Sequence, residues 1–263
     1  MKRNDLHDES SLGVCSSHTL SLKENEQVQL TIKPSEQNYV FVSDFFAGSV
    51  LNITVEENAK LQLSLLVKNN FDGAQINVDL GKNAHISTFF ADFSKEKEKI
   101  KVSINLNGEK SSASWHLASL AAHKDNKEFE INILHHAHET TAISNNFGVS
   151  KDQSKLVFSG CSAILKESHG SKTRQNSKIM VFDPECDAVA RPILKIDEKD
   201  IEAGHGAVVG RIPEDHLFYL TSRGLDESQA KRLITFGYLK PIVRGFQDES
   251  IRDEILSLIE RRM

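Results

Sequence analysis

The stretch IEAGHGAVVGRIPEDHLFYLTSRGL, residues 201–225, decides the fold, because a strand-like pattern gives way to a helix-like pattern inside it. The polar tripeptide Gly204-His205-Gly206 lies between the two patterns. Imidazole is the commonest metal-ligating side chain, and flanking glycines let a backbone or a ligand approach closely. His205 is therefore the first candidate for a functional residue.

Upstream of this stretch, apolar residues alternate with polar ones over nearly the whole range 20–200. Alternation with a period of two is typical of β-strands, and no convincing amphipathic helix interrupts it. The clearest runs are Val28-Leu30-Ile32, Leu61-Leu63-Leu65-Val67, Ile76-Val78-Leu80, Ile100-Val102-Ile104-Leu106 and Phe129-Ile131-Ile133. The sequence predicts a main domain built of strands.

A weak repeat marks the turns between these strands. Glu57-Asn58-Ala59-Lys60 returns as Gly81-Lys82-Asn83-Ala84 and more loosely as Asn107-Gly108-Glu109-Lys110. A period of about 25 residues suggests stacked coils, as in a parallel β-helix. A sandwich or barrel would alternate in much the same way, so periodicity leaves these folds open.

Beyond residue 212 the pattern becomes helical. Pro213 suits a first helical turn, and Asp226 with Gln229 can form a capping pair for a second helix that Pro241 ends or kinks. Its predicted packed face is Ala230, Leu233, Ile234, Gly237, Tyr238 and Ile242, and Ile251, Ile255, Leu258 and Ile259 predict a last helix. We divide the chain into an N-terminal tail (1–20), a β domain (21–212) and a helical domain (213–263).

Composition limits the function. With 263 residues and a formal charge of −5, the chain has no basic excess for nucleic acid, and no apolar run is long enough to span a membrane. We expect a cytoplasmic protein. No nucleophile–base pair, phosphate-binding glycine loop or HExxH motif is visible, so we assign no catalytic and no cofactor-binding residues. A carbohydrate-active β-helix enzyme would need clustered carboxylates along a groove, and none is apparent.

Three segments in order carry a resemblance to a known family. They are HGSKTRQNSKIMVFDPECDAVARPILKI (169–196), EAGHGA (202–207) and LFYLTSRG (217–224). Together they resemble the SufB/SufD family of iron–sulfur cluster assembly proteins, and the SufD branch more than the SufB branch. Members usually have a longer N-terminal region, so we expect a short form.

The resemblance implies a mainly β protein, a right-handed parallel β-helix followed by a small C-terminal helical domain. It implies a non-catalytic scaffold subunit that pairs with a SufB-type protein through the β-helices. The helical domain would dock an ABC-type ATPase, SufC, which supplies ATP hydrolysis. The alternative is a homodimeric scaffold that pairs with itself and needs no separate SufB partner.

The resemblance also implies the site residues. His205 matches a histidine that faces a SufB cysteine and holds a nascent, transient iron–sulfur cluster at the subunit interface, with no cluster stably bound by this chain alone. The alternative for His205 is a structural turn residue. Ala203 stands where many SufD proteins have cysteine. Tyr219 and Arg223 lie in the signature near the SufC docking surface and are the candidate partner contacts, whereas Leu217 and Phe218 are expected to fill a seam against the β domain.

The remaining cysteines and histidines give weaker signals. Cys15, Cys161 and Cys186 form no CxxC pair, so neither a disulfide framework nor a zinc site is expected. Cys161 is interpreted as a buried filler, and Cys186 is the less favoured replacement ligand. The cluster His135-His136-Ala137-His138-Glu139 matches no defined metal spacing and is interpreted as an exposed polar edge.

Overall fold

The fold is taken from a computed structural model that describes residues 2–3 and 15–263, with side chains from residue 16 onward. Over the described residues, the chain forms strands up to residue 211 and helices thereafter. The strands are β1 Lys2–Arg3, β2 Cys15–Ser21, β3 Gln27–Ile32, β4 Gln37–Asp44, β5 Val50–Val55, β6 Lys60–Val67, β7 Ala74–Leu80, β8 His85–Asp92, β9 Lys97–Leu106, β10 Ser112–Ala121, β11 Asn126–His135, β12 Thr141–Ser150, β13 Lys155–Ile164, β14 Ser171–Val181, β15 Asp187–Ile196 and β16 Ile201–Arg211.

Alternate strands belong to different sheets, which makes the body a parallel β-helix. The odd-numbered strands form one eight-stranded sheet in the order β1 to β15, and the even-numbered strands form a second, in the order β2 to β16. We call these the odd sheet and the even sheet. The paired strands are parallel, so each coil of the chain contributes one strand to each sheet. The β-helix is thus confirmed and the sandwich and barrel alternatives are excluded.

The repeated turns form the corners of the coils. Asn58 and Asn83 both have positive φ angles, 59° and 53°, a conformation that asparagine tolerates better than most residues. Their side chains stack, since Nδ2 of Asn83 donates to Oδ1 of Asn58 at 3.0 Å. Backbone bonds join successive corners as well, from Asn58 N to Lys82 O at 2.9 Å and from Asn83 N to Glu109 O at 2.8 Å. The repeat in the sequence therefore corresponds to stacked coils.

The interior of the β-helix holds the main hydrophobic core. Strand β11 shows the rule, because Phe129, Ile131 and Ile133 are buried and the residues between them are not. Aromatic side chains from successive coils contact one another along the axis, with ring centroids 5.7 to 6.1 Å apart. The members of this stack are Phe71, Phe90, Trp115, Phe129 and Phe158.

Three α-helices and a 3₁₀ helix complete the chain. They are α1 Glu214–Ser222, α2 Glu227–Leu239, the 3₁₀ helix Lys240–Gly245 and α3 Glu249–Arg262. The predicted capping box is present, with Gln229 N donating to Asp226 Oδ1 at 2.8 Å and Asp226 N donating to Gln229 Oε1 at 3.0 Å. Helix α2 ends two residues before Pro241, which lacks the N–H that a continuing helix needs.

Helix α2, the 3₁₀ helix and α3 pack on the outer face of the even sheet and form a second hydrophobic core with it. Leu239, Ile242, Phe246, Ile255 and Ile259 cover apolar residues of strands β6, β8, β10 and β12. The predicted packed face of α2 is wrong in part, because Leu233 is exposed and Thr235 and Leu239 are buried instead. Contact with the sheet, rather than the pattern of the helix alone, sets which side turns inward.

Candidate functional site

The β-helix ends in two strands that each have a free edge. Within residues 15–263, β15 pairs only with β13, and β16 pairs only with β14. Large apolar side chains on these strands are exposed, including Ile193 at 48%, Val208 at 57% and Val209 at 43%. We call this surface, formed by β15 and β16, the open end. Unpaired N–H and C=O groups beside exposed apolar side chains are the features of an edge that another chain can cover.

His205 lies in the middle of β16, at the open end. It is exposed and pairs in register with Gln175 of β14. Neighbours in a parallel ladder point to the same face, and Gln175 is buried inside the β-helix, so His205 lies on the interior face of the last coil. Its exposure follows from its place in that coil, because no further strand covers it within the described chain. Ala203, two residues earlier on the same face, is exposed as well.

The interior becomes polar as it approaches His205, a feature that the sequence analysis missed. In β12 and β14 the inward positions carry Ser144, Asn146, Thr173, Gln175 and Ser177, where earlier coils carry apolar side chains. They are joined by hydrogen bonds, such as Asn146 Nδ2 to Ser177 Oγ at 3.1 Å. Trp115 Nε1 donates to Asn146 Oδ1 at 3.1 Å and connects this region to the apolar core. The available signal was the segment 171–177, in which every residue is polar.

The cysteines lie apart from any ligand cluster that the structure describes. Cys161 is half-buried rather than a buried filler, and its backbone N–H donates to Asn132 Oδ1 at 3.1 Å. Cys186 is half-buried at a corner, with its thiol 3.5 Å from the carbonyl oxygen of Asp152. Both are free thiols. The side chain of Cys15 lies outside the described part of the chain.

The histidine cluster at the end of β11 is only in part the exposed polar edge that we predicted, since His136 and Glu139 are exposed but His135 is not. His135 is fully buried, and its Nδ1 lies 2.7 Å from Oγ1 of Thr140. Burial lowers the pKa of His135 to about 4, with a smaller contribution from the nearby His136. His136 is exposed, and the ring of His138 stacks on that of His169 with centroids 4.9 Å apart. His135 lies in the interior of the β-helix, whereas His138 and His169 lie at its corners. These rings therefore form no shared site.

The candidate partner residues lie on α1. None of the residues of this helix is buried, and Phe218 and Tyr219 are 74% and 58% exposed. The expected seam contact of Phe218 is therefore wrong. The guanidinium of Arg223 lies over the ring of Tyr219, 5.2 Å from its centroid, which holds both side chains at the surface. We call Phe218, Tyr219 and Arg223 the helical patch.

In the described part of the chain, no three His, Cys, Asp or Glu side chains come together in a group that could hold a metal ion. Strands β15 and β16, which form the open end, contain one histidine, His205, and no cysteine. A cluster with several ligand positions would need the others from elsewhere. Among the described residues, no helix is long and apolar enough to cross a lipid bilayer.

The fold and the site together define a class of protein. Its members are parallel β-helices with an uncovered terminal coil, one exposed histidine in that coil and a helical extension. Residues 6–238 match the family model described as SUF system FeS cluster assembly, SufBD core domain. The chain belongs to this SufB/SufD family, and its similarity to proteins named SufD places it in the SufD branch.

Individual relatives agree with this placement. The chain is 25% identical to the iron–sulfur cluster assembly protein SufD of Bacillus subtilis over 233 residues, 89% of this chain and 52% of the relative. It is 22% identical to SufD of Escherichia coli over 251 residues, 94% of this chain and 58% of that protein. An iron–sulfur cluster assembly SufBD family protein of Mycobacterium tuberculosis is 30% identical over 131 residues, 50% of this chain and 15% of the relative. The chain thus spans about half the length of the SufD proteins that it matches.

Proposed function

We propose that this chain is a scaffold subunit of the SUF iron–sulfur cluster assembly machinery, without catalytic activity of its own. In this proposal it pairs with a SufB-type protein and binds a SufC-type ATPase, which supplies ATP hydrolysis. The observation that carries the proposal is the position of His205 within an uncovered strand at the open end. A ligand at an uncovered edge can be shared with whatever chain covers that edge.

Pairing through the open end is supported by its two free strand edges and its exposed apolar side chains. A partner strand added to β16 would satisfy its free N–H and C=O groups, and apolar contacts with Val208 and Val209 would be buried. A SufB-type β-helix is the partner that the family suggests. A second copy of this chain is the alternative, since an exposed edge can also pair with an identical edge.

The nascent cluster, as cargo of the assembly, would lie between His205 and ligands from the partner. Neutral imidazole binds iron through the lone pair of one ring nitrogen. Histidine ligation of iron–sulfur centres is known where imidazole replaces thiolate. With His205 as the ligand that this chain contributes, the cluster would be stable only while the interface is closed, which suits a site that later releases its product.

Docking of the ATPase is assigned to the helical patch. Aromatic and arginine side chains are enriched at protein interfaces, and an exposed Phe–Tyr pair is unusual on a surface that remains in water. The cation–π contact between Arg223 and Tyr219 fixes the orientation of two of these side chains before binding. A preorganised patch loses less conformational entropy when a partner covers it.

The pairing is tested by placing a charge at the open end. We expect Val208→Lys to abolish co-purification with a SufB-type partner, because a lysine on an edge strand opposes addition of another strand. Ile143→Lys is the matched control, since Ile143 is 40% exposed on the same sheet but lies in the interior strand β12. Loss of pairing in both variants, or in neither, would contradict pairing through the open end.

The ligand role is tested by His205→Ala in the co-expressed complex. We expect the complex to form but to carry little or no cluster, measured by iron and sulfide content and by visible absorption. His136→Ala, which removes an exposed histidine at a distant corner, is expected to retain the cluster. An unchanged cluster content in His205→Ala would show that this histidine is structural.

A further inference from the structure

The inward side chains of the even sheet form a continuous column that ends at His205. Strand register places Trp115 next to Ser144, Ser144 next to Gln175, and Gln175 next to His205. Adjacent strands lie ~4.8 Å apart, and paired residues share a face. The side chain of Gln175 therefore lies directly beside that of His205, one coil further inside.

The carboxamide of Gln175 is held in one orientation. The residue is only 6% exposed, and its Nε2 donates to Oγ of Ser162 and lies 3.4 Å from the carbonyl oxygen of Ile193. A backbone carbonyl can only accept, so the amide nitrogen must be the atom that faces Ile193. The carbonyl oxygen Oε1 then remains as an acceptor on the other side of the carboxamide.

We propose that Gln175 is a positioning residue for His205, with its Oε1 accepting a hydrogen bond from one imidazole N–H. Such a bond fixes the tautomer and the ring orientation and leaves the lone pair of the second ring nitrogen toward the open end. Metal-ligating histidines commonly donate their other N–H to an oxygen in this way. Because His205 is flanked by Gly204 and Gly206, its neighbours in the chain offer no side chain that could do the same.

The inference rests on the proposed role of His205 as a ligand, but the contact itself can be measured without a cluster. The first experiment is a two-bond ¹H–¹⁵N correlation spectrum of the chain labelled with ¹⁵N-histidine, recorded at a pH where imidazole is neutral. The pattern of cross-peaks distinguishes the two tautomers, and comparison with His205→Ala assigns the signal. We expect one tautomer in the unsubstituted chain and a mixture in Gln175→Met.

A further variant separates positioning from folding. Ser177→Ala removes a polar inward side chain from the same strand, opposite Ala207 rather than His205, and should leave the tautomer unchanged. A mixture of tautomers in the unsubstituted chain, or a single tautomer in a folded Gln175→Met, would overturn the inference.

Cluster content in the co-expressed complex then distinguishes this inference from the proposed function. We expect Gln175→Met to lower the cluster content by about tenfold or more, in the range that loss of a ligand-orienting group produces. If His205→Ala loses the cluster while Gln175→Met changes neither tautomer nor content, the positioning role is wrong and the ligand role stands. If His205→Ala keeps its cluster, the ligand role is wrong, and the tautomer spectra still decide whether the contact exists.

Discussion

Lys127 and Asp92 form an ion pair that is completely buried, with Nζ of Lys127 2.7 Å from Oδ2 of Asp92 and both side chains inaccessible to water. The ammonium also donates to the carbonyl oxygens of Ser94 at 2.9 Å and Leu120 at 3.1 Å, so its three donors are used. Burial lowers the pKa of Lys127, and the charge of Asp92 opposes that effect. The pair joins strands β8 and β11, which belong to different sheets.

We predict that Asp92→Asn lowers the free energy of unfolding by about 3–5 kcal/mol, because it leaves the buried charge of Lys127 without a partner. The double substitution Asp92→Asn with Lys127→Met should cost much less, since neither charge of this pair remains. Equilibrium urea unfolding measures both. In the exposed pair Lys68–Glu254, Glu254→Gln should cost less than about 1 kcal/mol. Equal losses in the single and double variants of the buried pair would contradict this account.

Buried His135 predicts a loss of stability in acid. Its pKa is about 4 in the folded chain and 6.5 when exposed, so the unfolded chain binds the extra proton first as pH falls. Stability from this group is complete above pH 6.5 and falls toward pH 4, by up to about 1.4 kcal/mol per pH unit. Burial raises the pKa of Glu98 to about 8, which gives a contribution of opposite sign, so the contribution of His135 is measured as a difference between two proteins. The difference in unfolding free energy between the unsubstituted chain and His135→Gln, from urea unfolding at several pH values, should change by up to about 1.4 kcal/mol per pH unit between pH 6.5 and 4. His216→Gln, at an exposed position, should show no such change, and a pH-independent difference for His135→Gln would contradict the assignment.

Gly245 permits the close approach of the 3₁₀ helix to the even sheet. A Cβ at this position would lie 2.0 Å from Cγ of Phe89, and the carbonyl oxygen of Gly245 accepts from Gln62 Nε2 at 2.8 Å. We expect Gly245→Ala to lower the free energy of unfolding by about 1–3 kcal/mol through overpacking. Gly237→Ala in α2, where a Cβ meets no atom within 4 Å, should raise it by about 0.5–1 kcal/mol. Thermal and urea unfolding compare the two, and a neutral Gly245→Ala would show that the helical segment shifts freely on the sheet.

The proposed docking of a SufC-type ATPase on the helical patch predicts that removal of the aromatic side chains weakens binding. Phe218→Ala with Tyr219→Ala should weaken binding of a SufC-type protein by at least about tenfold, since exposed aromatic side chains at an interface centre contribute most of the affinity. Arg223→Ala should weaken it less, because it leaves both aromatic side chains in place and removes only the contact that orients Tyr219. Isothermal titration with the purified ATPase gives the dissociation constants. Val208→Ala at the open end is the control, and an unchanged affinity in the double variant would move the docking surface elsewhere.

Local chemistry made much of the fold predictable. Alternating apolar residues gave the strands, asparagine at repeated turns indicated stacked coils, and the pair Asp226–Gln229 with Pro241 marked both ends of α2. Each of these signals acts within a few residues of chain. The choice between a β-helix and a sandwich depended on the family resemblance. Alternation of apolar residues shows that one face of a strand is buried, but it does not show which other strand covers that face.

The errors concern contacts between coils and between helix and sheet. His135 was placed at the surface because a histidine-rich turn is polar, yet stacking of the next coil buries it against Thr140. Leu233 was placed on the packed face of α2, but the buried residues of that helix are Ala230, Thr235 and Leu239, and Leu239 belongs to the core shared with the even sheet. The polar column beneath His205 was missed, because which residues of neighbouring coils lie side by side is set only by strand register.

The central claim is that this chain completes a heteromeric scaffold, and the native mass of its complex tests that claim most directly. The chain would be co-expressed with the SufB-type and SufC-type proteins of its own genome, and the purified assembly measured by native mass spectrometry. The account predicts one copy of this chain, one SufB-type subunit and two ATPase subunits. A chain that remains alone would contradict the claim, and a chain that pairs only with itself would replace it with the homodimeric scaffold.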